Sequence, residues 1–109
     1  MEDVNEIIRL LDTLDASIRA LGKTGKEYGQ AHTDYRLKLS ETLLKLEAEG
    51  RPVTNLYYIA RGMKDVALAK FKEISTEAIY KANQESIQAQ KLRIRILESQ
   101  IEREWGNTK

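Results

Sequence analysis

A seven-residue hydrophobic repeat runs unbroken through the first half of this chain, and no other feature constrains its fold as much. One stripe is Val4, Leu11, Ile18, Gly25, His32, Leu39 and Leu46; a second is Ile7, Leu14, Leu21, Tyr28, Tyr35, Thr42 and Glu49. Residues seven apart share a face when the backbone is helical, because seven residues make close to two turns. The phase passes through "LGKTGKEYG" without a skip, which predicts one helix over about 3–49. Gly22, Gly25 and Gly29 lie on one side of that helix, each at a cost of roughly 1 kcal/mol relative to Ala. They mark either a bend or the close approach of a neighbouring helix.

The repeat stops at "EGRPVTNLYYIARGMKD", residues 49–65, which holds the only proline. Gly50 suits the left-handed residue that follows a helix, and Pro52 cannot continue one. Thr54 is placed to cap a short helix, Asn55–Arg61, with Gly62 as its stop. A second long helix is expected over about 63–105, ended by Gly106. The fold class that follows is all-α: a single domain over 1–109, built as a long antiparallel two-helix hairpin with a short helix at its tip, residues 50–62.

The second long helix is apolar on two sides. One face carries Ala67, Phe71, Ile74, Ala78, Ala89, Leu92 and Ile96. The other carries Tyr80, Ile87, Ile94 and Ile101 at sevenfold spacing, with Leu97 and Trp105. One partner helix covers one face, and a lone hairpin buries little surface for its length. Both arguments predict self-association into a helical bundle, a dimer or higher, with Tyr80, Ile87, Ile94, Leu97, Ile101 and Trp105 at the interface. Beside the isoleucines runs a polar row, Thr76, Asn83 and Gln90. Polar residues in a helical seam fix register and partner number. The alternative is a hydrogen-bonding pocket within the oligomer, reached by Lys91, Arg93 or Arg95.

Little here suits catalysis. The chain has no cysteine and one histidine, His32, which falls on a core stripe between Tyr28 and Tyr35. No spacing of His, Asp or Glu matches a metal site, and no glycine-rich loop follows a strand to cradle phosphate. The reading is a protein that is not an enzyme, with no cofactor and no metal. The absence of cysteine suits a reducing cytoplasm. The acidic start "MEDVNEIIRLL" lacks the basic segment of a secretory signal, and no apolar run spans a bilayer.

Charge is uneven although the net is +1. Residues 1–21 hold five acids and two bases, net −3; residues 22–72 hold ten bases and six acids, net +4. Arg51, Arg61 and Lys64 lie at the tip beside Tyr57 and Tyr58, which makes these five the expected partner-binding residues. Basic groups interleaved with aromatics also bind phosphate and stack on bases. "PVTNLYYIARG" echoes the first helix and turn of a helix-turn-helix, but the following helix runs some thirty residues too long to be a recognition helix.

The segments "LKLEAEGRPVTNLYYIARGMKDVALAKFK" and "EAIYKANQESIQAQKLRIRILESQIEREWGN" resemble a family of small helical proteins encoded by phages and prophages of Gram-positive bacteria. The similarity is strongest over about residues 36–106, in "EGRPVT", "ARG" and "KLRIRILESQIEREW". The resemblance implies a phage origin and a small accessory role in the cytoplasm of the infected host. No catalytic residue is carried over from it. The leading expectation is a non-enzymatic phage protein that self-associates and binds or sequesters a host factor, either a defence protein or a small nucleotide signal. The alternative is a nucleic-acid-binding accessory of phage DNA metabolism using the basic tip. A third reading is a structural or assembly protein whose seam is its function.

Overall fold

The computed structural model describes residues 2–107; residues 1, 108 and 109, included in the expected domain, lie outside the described range. The described residues form three helices: α1, Glu2–Ala48; α2, Val53–Gly62; and α3, Lys64–Asn107. The expected long helices are present, and α1 continues through Gly22, Gly25 and Gly29.

The end of α1 is a left-handed glycine cap. Gly50 has φ +80°, a conformation open to a residue without Cβ. The Gly50 N–H donates to the Glu47 carbonyl (3.0 Å) and the Arg51 N–H to the Leu46 carbonyl (3.3 Å), the paired bonds of a Schellman motif. The start of α2 differs from expectation. Pro52, not Thr54, is its N-cap, and its carbonyl accepts the Asn55 N–H at 3.3 Å. Pro52 is extended, with ψ 133°, and the helix begins after it at Val53, with Thr54 inside. Gly62 is likewise the last residue of α2, and the break falls at Met63, which is extended. The Met63 carbonyl accepts the Ala67 N–H at 2.8 Å as α3 starts. Gly106 does not stop α3 either.

The chain divides into two compact units that share α1 and α3. Unit 1 combines residues 2–23 with 81–107, and unit 2 is Thr24–Tyr80. In each, α1 and α3 run antiparallel, shown by Ser17 beside Asn83 and Gln90 in unit 1 and by His32 beside Glu73 in unit 2.

Burial sets the true register. On α1 the covered line is Ile7, Leu14, Leu21, Tyr28 and Tyr35, alternating with Leu10, Ser17, Thr24 and Ala31. On α3 it is Glu73, Tyr80, Ile87, Ile94 and Ile101, alternating with Thr76, Asn83, Gln90 and Leu97. The second α1 stripe read from the sequence is therefore in the seam. Most of the first is not: Val4, Leu11, Ile18 and His32 flank it, exposed. Later on α1 the seam passes to Leu39 and Leu46, because a 3.6-residue turn drifts against a strict heptad.

Unit 2 is closed by α2. Leu46, Leu56 and Ala60 form a buried cluster, with Leu39, Leu43 and Ile59 packed on it. Burying each large aliphatic side chain contributes on the order of 2 kcal/mol. Among its described residues unit 1 has no third helix, and those buried are Leu10, Ile87 and Ile94.

Candidate interaction surfaces

The first surface is the outer side of α2. Its inner side is spent on Leu56 and Ala60, which leaves Val53 (80% exposed), Tyr57 and Tyr58 (83%) outside. The Arg61 guanidinium lies 5.4 Å from the centre of the Tyr57 ring, a cation–π pair. Arg51 and Lys64 are exposed. The tip residues singled out from the sequence are thus all on the surface of unit 2, and the helix end is plugged by Leu56, Ile59 and Ala60 rather than by either tyrosine.

The second set of expected residues is placed differently. Ile87 and Ile94, read as an interface between copies, are buried within unit 1 (5% and 6% exposed). Tyr80, Leu97 and Ile101 are half-buried on the same seam, and of that set Trp105 alone is exposed. The α3 face left outside is the other one, with Phe71, Ile74, Leu92 and Ile96 exposed. The reason is fit. Within unit 1 Ser17 faces α3 at Asn83 and Gln90, and within unit 2 Gly25 faces Tyr80; both are small residues that let α3 approach with this face. Gly25 shows this in detail. A Cβ there would stand 3.0 Å from Tyr80 Cε1, whereas Gly22 and Gly29 have open space. Close approach explains Gly25 alone.

The polar row also belongs to the seam inside the chain, not to a pocket between copies. Thr76 donates to the Lys72 carbonyl of its own helix at 2.8 Å. Asn83 Nδ2 donates to the Ser17 carbonyl (3.2 Å), and Gln90 Nε2 to Ser17 Oγ (2.9 Å) and Ser86 Oγ (3.0 Å). Gln90 Oε1 is buried without a hydrogen-bond partner. Arg93 is exposed on α3. Ser17 was not visible from the sequence, because the neighbouring stripe through Ile18 is the more apolar and masks it.

A third feature has no counterpart in the sequence reading. Glu73 is 6% exposed in the seam of unit 2. Lys70 Nζ donates to its Oε1 and His32 Nδ1 to its Oε2, both at 2.6 Å. Burial pushes the Glu73 carboxyl up, but the hydrogen bonds from Lys70 and His32 outweigh it and hold the group below the ordinary carboxylate range. An ionised carboxylate only accepts, so His32 carries its proton on Nδ1. The hydrogen bond to Glu73 also raises Lys70, whose ammonium sits 4.6 Å from the centre of the Tyr35 ring. One turn away, the Tyr28 hydroxyl donates to Glu77 Oε2 at 2.6 Å. That bond, with burial, raises the Tyr28 phenol. Tyr28 also stacks on Tyr80, centroids 6.0 Å apart. Each group here is tied to another, an arrangement that sets register. Sequence could have found it: stepping back by sevens from Ile101 through Ile94, Ile87 and Tyr80 reaches Glu73 and then Val66, which is buried too.

Among the described residues no three His, Asp or Glu side chains cluster to hold a metal ion. No helix among them is long and apolar enough to cross a membrane. No family model, curated protein or solved structure matches the chain.

Proposed function

We propose that this chain is a non-enzymatic interaction protein, a phage accessory that self-associates and uses the outer face of α2 to bind a host factor in the cytoplasm of an infected bacterium. The observation that carries the reading is the inverted use of α2. A ten-residue helix has Leu56 and Ala60 inside and places Val53, Tyr57 and Tyr58 in solvent, with Arg61 laid on Tyr57. Tyrosine and arginine are the side chains that dominate protein interfaces, because each offers broad apolar contact and a polar end. A protein partner of the host, such as a defence component, fits this chemistry better than a small nucleotide held between helices, since Asn83 and Gln90 spend their hydrogen bonds on Ser17. Phage origin and host setting come from the resemblance over residues 36–106, and the exposed tip is where such a role would act.

The test is capture from host extract by the tagged protein and by a Tyr58→Ala, Arg61→Ala variant. Loss of the captured species with an unchanged circular dichroism spectrum supports the reading. Identical capture by both proteins places the function away from α2. A second reading, nucleic-acid binding, is favoured by the exposure of Tyr58, Arg51, Arg61 and Lys64 in the same unit. It predicts a DNA or RNA mobility shift whose affinity falls steeply with salt.

A further inference from the structure

Unit 1 is unfinished on one side. In the register set by burial, Val4, Leu11 and Ile18 occupy the position immediately after the Leu10 and Ser17 line, with Ile8 beside them. All four are more than a third exposed; Leu11 is 44% and Ile18 46% exposed. The α1 part of unit 1 therefore carries an apolar row beside its seam as well as the apolar residues within it. Two apolar positions suffice for a two-stranded pair, and three are the pattern of a helix inside a larger bundle. The opposite flank of the same stretch carries Glu6, Thr13 and Ala20, which gives unit 1 one apolar and one ordinary side.

The seam is open along the apolar side. A groove of about 320 Å³ is lined by Ile18, Leu21, Gln84, Ile87, Gln88 and Lys91. Another, about 270 Å³, is lined by Val4, Ile101 and the exposed Trp105 among acidic residues. Core side chains that a closed bundle would cover thus line a surface trough. The chain exposes 8320 Å². A folded monomer of its mass exposes about 6,200 Å², so the surplus exceeds the ~800 Å² per partner that a standard interface buries.

We infer that a second copy of this chain packs against the flank made by Val4, Ile8, Leu11 and Ile18, the two copies of unit 1 closing a four-helix bundle. This rests on the self-association proposed above and names its surface. Charge selects the occupant. Asp15 interrupts the apolar row on α1, and Lys91 edges the groove on α3; both are exposed. A flank that holds an acid on one helix and a base on the other is complementary to itself under a two-fold axis, which sets Asp15 of each copy against Lys91 of the other. The α3 stripe of Leu92 and Ile96 does not border the grooves.

The experiment is sedimentation equilibrium on the whole chain. The unaltered protein is expected at twice its monomer mass. Leu11→Glu with Ile18→Glu puts charge into the apolar contact, and its dimer should dissociate at least roughly a hundredfold more readily. Leu92→Glu with Ile96→Glu should leave the dimer intact. Asp15→Lys and Lys91→Glu, each alone, should weaken the dimer several-fold, and together restore it. That restoration keeps the test decisive should the double glutamate variant fail to fold. An unaltered protein that is monomeric overturns this inference and the self-association with it. A dimer broken at Leu92 and Ile96, or one in which the charge swap restores nothing, overturns the surface and leaves self-association standing.

Discussion

Unit 2 has three helices around its core and unit 1 has two, and their flanks differ to match. At one heptad position, beside the seam, unit 2 carries His32 on α1 and Lys70 and Glu77 on α3; His32 and Glu77 are hydrogen-bonded across the seam to Glu73 and Tyr28, and Lys70 to Glu73 along α3. At the equivalent position unit 1 carries Val4, Leu11 and Ile18, in solvent. One flank is finished with polar links within the chain, while the other is apolar and open. A helix pair can hold its register either way, but only the second flank leaves a row of large apolar side chains in solvent. The difference teaches that stability and association are divided between the units. Unit 2 supplies folding energy from its own contacts, whereas on the inference above unit 1 gains its full burial from a second copy.

The largest expected effect sharpens that division. Leu46→Ala opens the cluster with Leu56 and Ala60 and should cost about 2–5 kcal/mol at any protein concentration, read from urea unfolding midpoints. Leu11→Ala should cost little at low concentration and progressively more as the protein is concentrated. Equal, concentration-independent losses at the two sites would erase the contrast.

Next comes Glu73. Its carboxyl lies below its ordinary value of 4.5 in the folded chain. A lowered folded value means that its stabilisation is complete above the unfolded value and is lost as pH falls through the folded one. Stability measured from pH 6 to pH 3 should therefore fall, and Glu73→Gln should flatten part of that slope. At pH 7 the variant should be weaker by about 1 kcal/mol, from exchanging charged hydrogen bonds for neutral ones. An unchanged acid limb would remove Glu73 as a register lock.

The glycines give a smaller, signed comparison. Gly22→Ala and Gly29→Ala meet open space and should each raise stability by up to about 1 kcal/mol. Gly25→Ala brings a methyl to 3.0 Å from Tyr80, a ring already stacked on Tyr28. It should forfeit that gain or turn it into a loss. Thermal midpoints of the three variants, ranked, test the close approach.

Smallest is the polar bridge of unit 1. Ser17→Ala with Gln90→Leu removes both partners and the unpartnered Gln90 Oε1 together. The change should be neutral or stabilising by under about 1 kcal/mol. A large loss would mean the bridge holds the hairpin together rather than merely setting its register.

Much of this was legible in the sequence, and the failures share a cause. The two long helices, the Gly50 stop and the α1 line through Ile7, Leu14, Leu21, Tyr28 and Tyr35 follow directly from period and punctuation. The companion line did not, because Ser17, Thr24 and Ala31 are small or polar while their neighbours Ile18 and Leu11 are large. Hydrophobicity alone favours the flank over the seam wherever a helix is apolar at three positions. The same ambiguity put Ile87 and Ile94 at an expected interface. Both faces of α3 are apolar, and the choice between them rests on small α1 residues such as Ser17 and Gly25 that hydrophobicity does not single out. Glu73 was hidden for the opposite reason, as one acid among seventeen with no sign of burial until its sevenfold line is extended.

The central claim is that unit 1 is completed by a second copy while unit 2 completes itself. Amide hydrogen exchange, followed residue by residue over a wide range of protein concentration, tests it most directly. Protection of α1 residues 4–21 should rise with concentration, while protection around Leu46, Leu56 and Ala60 should stay constant. If residues 4–21 are as protected at the lowest concentration as at the highest, unit 1 needs no partner and the claim is contradicted.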